Sequence, residues 1–295
     1  MKVLLIGIGR LGFRYLEGLT KLKKSKIKIF LYDNKISVIQ SLKKTIKEQK
    51  NIFIIEKLNN LNIKNFDLCI LATTASSRHM LIKKITETFK IKYWILEKLV
   101  SNKPNNLDKI HKLLKNSKVY INLPRSYCKM YQLLKKQKLK KINIKVKGGK
   151  WNIGSNSIHH LYLLEWLTSD KITKIKIFKK QFYQTKRKNF YDFYGKINGQ
   201  SNFGSKINII NLKNNEKFTT KISNGVDNWF INEHLGYIKK NNKIILKNKF
   251  NFQSQITPQI VKFIHNCKLP LLKDVYLLHK KVLIEYNKLG FNSVT

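Results

Sequence analysis

Cysteine is scarce and poorly placed for crosslinking: Cys69, Cys128 and Cys267 are odd in number and far apart. That excludes a disulfide framework and the paired spacing of a zinc site. Each is expected to be a small buried hydrophobe, and no grouping of His, Cys, Asp and Glu has metal-ligand spacing, so no metal is expected. Acidic residues are few, 16 against 60 basic ones, which leaves a net charge of +44. Arginine is rarer still, at Arg10, Arg14, Arg78, Arg125 and Arg187 alone. Readers of bases and phosphates favour the arginine fork, whereas here lysine rises together with isoleucine and 31 asparagines, the drift of an AT-rich genome. The charge therefore reads as a solvated surface, with no specific nucleic-acid partner expected and with residual attraction for an anionic small molecule. No apolar run approaches the roughly 18 residues that span a bilayer, and a strand run starting at the second residue leaves no room for a secretory leader. A cytoplasmic protein without a membrane partner is expected.

What is present begins at once. Val3 to Gly12 reads VLLIGIGRLG, a buried-strand run followed by Gly7, Gly9 and Gly12 in G-x-G-x-x-G spacing. Asp33 closes the next strand run, 21 residues past Gly12. Strand before, helix after and an acid at this distance make a dinucleotide-binding fingerprint. Gly7 permits the tight turn, Gly9 lets the backbone approach a pyrophosphate, and Gly12 lets a helix from about Arg10 to Lys24 pack on the strand. The N-H groups opening that helix, around Ile8, Arg10 and Leu11, would face the phosphates. Asp33 would accept from a ribose 2'-hydroxyl and repel a 2'-phosphate, which favours NAD over NADP, although Lys35 two residues on could tolerate the phosphate.

Strand and helix runs alternate through residue 123: helix 36–49, strand 52–55, strand 66–72, helix 77–89, strand 93–97, helix 106–114 and strand 119–123. This predicts a doubly wound parallel sheet, a Rossmann α/β domain over residues 1–123. Its polar strand ends, Asp33, Thr73 and Thr74, Glu97 and Lys98, and Asn122, lie where such sheets bind ligands. From residue 124 to 295 the pattern changes to an α+β domain with an open, mostly antiparallel sheet. Strands are expected at 141–147, 174–183, 206–212, 217–222 and 243–247, and helices at 126–138, 158–167, 258–266 and 273–289. The outer face of that sheet would be covered by a partner subunit, giving a homo-oligomer.

These residues resemble the glucose-fructose oxidoreductase, inositol dehydrogenase and rhizopine-catabolism (Gfo/Idh/MocA) superfamily of NAD(P)-dependent sugar oxidoreductases over nearly the whole chain. The A-T-x-x-x-x-x-H run of that family is matched by Ala72, Thr73 through Ser77, and His79, and its E-K-P by Glu97 and Lys98 with Leu99 in place of proline. Its active-site His, followed three residues later by Asp, is matched by His159 and Tyr162. The resemblance implies hydride transfer to or from a sugar, sugar-nucleotide or sugar-acid carbon, and by analogy a place in surface-polysaccharide biosynthesis. It also implies Thr73, Thr74, His79, Glu97 and Lys98 as cofactor neighbours, with Lys98 and His159 as the proton-transfer pair. Asn122, Arg125 and Tyr127 would be substrate contacts or an interdomain hinge. Trp151, Asn156, His159 and Tyr162 would line the sugar site, Trp151 equally fitting a core position. Because Tyr162 replaces the orienting carboxylate and Leu99 the proline, the alternative is a catalytically silent NAD(P)-binding sensor of the same fold.

Overall fold

The computed structural model describes residues 1–295 except 23–25, 47–48, 188 and 292–295. The chain divides into two compact units. The first comprises residues 1–101, 105–122 and 252–274, the second 102–104, 123–251 and 275–295. The expected continuous split at 123/124 differs from these units at 252–274, which folds with the first.

The first unit holds a six-stranded, all-parallel sheet. Its strands are β1 (Lys2–Ile6), β2 (Lys28–Tyr32), β3 (Ile52–Ile55), β4 (Asn65–Leu71), β5 (Lys90–Leu96) and β6 (Lys118–Ile121). They lie in the order β3-β2-β1-β4-β5-β6, so the strand order reverses between β1 and β4, where doubly wound sheets bind their ligands. The helices α1 (Arg10–Thr20), α2 (Ile36–Thr45), α3 (Arg78–Thr88) and α4 (Pro104–Leu113) follow their strands as expected. The expected C-terminal stretches of the first two helices, at Lys23, Lys24, Lys47 and Glu48, lie outside the described residues. Central strands are apolar on both faces: Val3, Leu4, Leu5, Leu68, Cys69, Ile70 and Ile95 are fully buried.

Residues 252–274 join this unit because α7 (Gln253–Lys262) crosses α1 closely. A Cβ on Gly18 would lie 2.5 Å from Thr257 Cβ, so only glycine admits that approach. Sequence periodicity carries no sign of a pairing between elements 230 residues apart.

The second unit is built on an eight-stranded sheet, antiparallel except where β7 (Asn143–Gly149) and β10 (Lys206–Leu212) run parallel. Its other strands are β8 (Ile172–Gln184), β9 (Tyr191–Ser201), β11 (Thr219–Ser223), β12 (Asn228–Asn232), β13 (Tyr237–Lys240) and β14 (Lys243–Lys247). Strands β9, β12 and β13 were not expected from the pattern. Gly195 and Gly199 interrupt the alternation of β9 for a packing reason: a Cβ at Gly199 would meet Leu161 of α6 (Ile153–Thr168) at 3.1 Å. The helix expected at 126–138 is instead a 3-10 turn, Pro124–Tyr127, followed by α5 (Lys129–Lys136), and α8 (Leu272–Lys288) closes the chain. Alternation buries Ile144, Val146, Ile207, Ile209 and Ile222 and leaves Lys145 and Lys221, directly opposite across β7 and β11, on the outer face. No described helix is long and apolar enough to cross a membrane.

Candidate functional site

The three glycines of the G-x-G-x-x-G run differ in what a side chain would meet. Gly7 has φ +86° and its peptide N-H bonds Tyr32 O at 2.9 Å, continuing the β1–β2 ladder into the turn. A Cβ on Gly12 would lie 1.8 Å from Gly7 O, so helix and turn are in contact there. A Cβ on Gly9 would meet nothing within 4 Å. Gly9 is the N-cap of α1, with no side-chain cap and no acid in the first turn, so the helix presents its opening N-H groups and partial positive charge toward open space. Asp33 is held at the end of β2, its Oδ2 accepting from Ile8 N at 2.7 Å and its Oδ1 from Lys35 N at 2.9 Å. Fixed in this way, the carboxylate keeps lone pairs for a ligand hydroxyl. Thr73 Oγ1, at the end of β4, is buried with no hydrogen-bond partner among the described residues. An open backbone cradle, an anchored acid and an orphaned hydroxyl fit a dinucleotide.

The β5 end is tightly organised. Glu97 is 5% exposed, and its Oε1 accepts from Tyr15 Oη at 2.6 Å and from Asn122 Nδ2 at 2.7 Å. Asn122 Nδ2 also donates to Gln253 Oε1 at 2.9 Å. Asn122, expected to touch substrate, is here part of the scaffold that orients Glu97. Burial raises the Glu97 carboxyl above its ordinary range, opposed by the Tyr15 hydroxyl and by Lys98. Lys98 is partly exposed beside it, followed by a cis peptide to Leu99. His79 is partly buried at the start of α3, and burial lowers its pKa.

Arg125, Tyr127, Trp151, Asn156, His159 and Tyr162 all lie in the second unit. Arg125 is committed internally. Its Nε and Nη2 donate to Glu233 Oε1 and Oε2 at 3.0 and 3.1 Å, and Nη2 also reaches His160 Nε2 at 3.0 Å. Tyr131 Oη donates to Glu233 Oε1 at 2.6 Å. Burial works against the Arg125 charge, but Glu233 and Tyr131 outweigh it and raise its pKa. Trp151 donates Nε1 to Ile210 O at 3.0 Å and meets His160 and Phe218 edge-on, the core alternative for this residue. Asn156 Nδ2 donates to Trp151 O at 2.9 Å. Tyr127 and Tyr162 are buried, and His159 is partly exposed on α6. That helix is capped by Asp192, fully buried, whose carboxylate accepts from Gly154 N and Ser155 N at 2.9 and 3.2 Å.

Of the adjacent histidines, His160 is the structural one. Arginine can only donate, so His160 Nε2 accepts and the proton sits on Nδ1. Burial and then the Arg125 charge hold its pKa well below the usual value. In the unfolded chain it would bind a proton near pH ~6.5. The folded state does not, so its contribution is complete above that pH and is lost as pH falls, at up to about 1.4 kcal/mol per pH unit. Urea unfolding of wild type and His160→Gln, followed from about pH 7.5 to about pH 5, should show the steeper loss in wild type. Parallel curves would exclude His160 as the titrating group.

Sequence reasoning gave no site role to Tyr15, Arg78, Tyr131, Asp192 and Glu233. The signal in the sequence was the rarity of arginine, five in a chain this rich in lysine; the structure buries two of the five, Arg78 and Arg125, where a fork does what lysine cannot.

No family model matches the sequence, and no curated protein matches it in sequence. Solved structures do match in fold. A super-repressor mutant of Gal80p from Saccharomyces cerevisiae aligns with a TM-score of 0.77 at 14% identity, covering 98% of this chain and 97% of that one. The dehydrogenase MviM from Clostridium difficile aligns with a TM-score of 0.72 at 15% identity, covering 98% and 99%. UDP-N-acetylglucosamine 3-dehydrogenase GnnA from Acidithiobacillus ferrooxidans aligns with a TM-score of 0.73 at 10% identity, covering 99% of each chain. A parallel six-stranded sheet followed by a mixed eight-stranded sheet is thus a fold that this chain shares with these dehydrogenases and with Gal80p.

Proposed function

We propose that the chain is an NAD(P)-dependent oxidoreductase that moves hydride to or from a carbinol carbon of a sugar, sugar nucleotide or sugar acid. The observation that carries this reading is the cradle: an uncapped helix N-terminus at Gly9, open space where its side chain would be, and Asp33 anchored beside it. Gly7 to Gly12 would hold the pyrophosphate, Asp33 the adenosine ribose, and Thr73, Thr74, His79 and Glu97 the remainder. The cofactor supplies the hydride acceptor or donor. Lys98 would bind the reacting oxygen and hold or release its proton, and His159 would serve as a second proton-transfer group. Arg125, Tyr127, Trp151, Asn156 and Tyr162 belong to the substrate unit of this reading, Arg125 acting through the architecture it braces. Assembly through the C-terminal sheet is part of it, with Lys145 and Lys221 requiring opposed charges or salt at the contact.

A second reading, a nucleotide-binding regulator without turnover, is favoured by the likeness to the Gal80p super-repressor and by Tyr162 in place of the family's carboxylate. Fluorescence titration with NADH and NADPH tests the shared step, with NADH expected to bind more tightly. A hydride-transfer screen over sugars and nucleotide sugars then separates the two readings. Gly9→Ala is expected to fold normally and to lose roughly tenfold or more in NADH affinity, about 1.4 kcal/mol. Gly12→Ala, whose Cβ would strike Gly7 O, is expected to lose about 1–3 kcal/mol of stability. Unchanged NADH binding in Gly9→Ala would remove the cradle from the reading.

A further inference from the structure

Arg78 is fully buried at the first position of α3, and its fork is spent on main-chain carbonyls. Nη1 donates to Glu97 O at 2.6 Å, Leu99 O at 2.5 Å and Val100 O at 3.0 Å, and Nη2 donates to Thr73 O at 2.5 Å. Thr73 lies beyond the end of β4, and residues 97–100 lie beyond the end of β5. One guanidinium thus ties together the loops after two neighbouring strands. No carboxylate is within ion-pair distance of it among the described residues, and burial pushes its pKa down to about 10, so it remains charged at neutral pH. Burying a cation in this way is costly, and a lysine, with its donors on one nitrogen, could not reach the carbonyls of both loops from two separate nitrogens as Nη1 and Nη2 do. In a chain this rich in lysine, an arginine at such a position is there for its geometry.

Lys98 lies between two of the clamped carbonyls, those of Glu97 and Leu99, and Thr73 carries the contact from the β4 loop. Where the resembling family has proline, whose ring restricts φ, this chain has Leu99 with its carbonyl held from outside. We propose that Arg78 is a positioning residue: it clamps the β4 and β5 end loops into one unit, so that Lys98 and the Thr73–Thr74 edge hold a constant spacing for a bound dinucleotide. The assignment rests on the oxidoreductase reading for what the spacing serves, and on the carbonyl contacts alone for the clamp itself.

The test uses the full chain with Arg78→Lys and Arg78→Ala, and Leu107→Ala as a control that removes a fully buried side chain of α4 and none of the carbonyl contacts. Amide hydrogen exchange is read at residues 98–101 and across β1 to β3, and NADH affinity by fluorescence. In Arg78→Lys, exchange at 98–101 is expected to rise while β1 to β3 stay protected, and NADH affinity to fall by roughly tenfold to a hundredfold, the scale of an ångström misplacement. Millimolar ethylguanidinium should restore much of the protection and affinity in Arg78→Ala. Leu107→Ala should lower the melting temperature without either local effect. Wild-type protection at 98–101 and wild-type NADH affinity in Arg78→Lys would overturn the proposal, as would the control reproducing its local pattern. If the wild-type protein binds no NADH, the oxidoreductase reading fails, while the exchange data and the ethylguanidinium rescue still decide the clamp.

Discussion

Glu233→Ala is expected to destabilise the second unit by about 3–5 kcal/mol, the usual cost of stripping the partner from a buried charge. Glu233 is the acceptor for three donors: Nε and Nη2 of Arg125 and the hydroxyl of Tyr131. Without it the Arg125 guanidinium, 9% exposed, stays charged in a site where its remaining neighbours are His160 and the ring face of Phe250. Desolvation, already paid in wild type, is then uncompensated. Replacing both partners by apolar residues of similar volume, Arg125→Met with Glu233→Leu, should recover most of the loss, because the pair contributes little net stability over a well-packed apolar pair. Urea unfolding of the single and double variants measures the coupling directly. A loss below about 1 kcal/mol in Glu233→Ala would mean that water reaches the guanidinium and that the cluster behaves as a surface pair.

Lys98→Ala is expected to lower hydride transfer by roughly 10² to 10⁴, the worth of a positioned acid or base, while NADH affinity changes little. The split between rate and binding is the informative part. The glycines, Asp33, Thr73, Thr74, His79 and Glu97 carry the proposed cofactor contacts, whereas the lysine serves the proton of the reacting oxygen, so its loss belongs in kcat. Lys98→Met, keeping the stem and removing the ammonium, should behave like Lys98→Ala. Steady-state assays on whichever sugar carbonyl the wild type turns over provide the measurement. Near-normal rates in both variants would take Lys98 out of the chemistry and strengthen the regulator reading. His159→Ala, assayed separately, asks the same of the second proposed proton-transfer group.

The parallel sheet was legible because its strands are continuous apolar runs and its turns carry glycine and asparagine. Strand 52–55 was read at its structural limits, and most other strand and helix ends of residues 1–122 within a few residues. The turn at Gly7 and the close helix approach at Gly12 were also legible, since each follows from a local backbone need. In the second unit the pattern worked where faces alternate strictly, as in β7 and β10, and failed at β9, where Gly195 and Gly199 answer to neighbours rather than to period. Strands of four or five residues such as β12 and β13 carry too few positions for an alternation to stand out.

Side-chain roles divided the same way. Sequence placed Asn122 and Arg125 at strand or turn ends, which holds, but could not say that Glu97 and Glu233 would claim them. It singled out His159 by its motif and gave no role to His160, which the fold places against Arg125. It offered Arg78 beside a motif histidine without its use. What the linear order determined by itself was periodicity and local backbone freedom: an α/β dinucleotide fold first, an α+β half second, an acid after the second strand. What only the tertiary structure decided was partnership between distant residues: α7 on α1, Arg78 across two loops, Arg125 with Glu233. Burial makes a polar group take whichever partner the fold brings within reach, and that reach is set by packing over the whole chain.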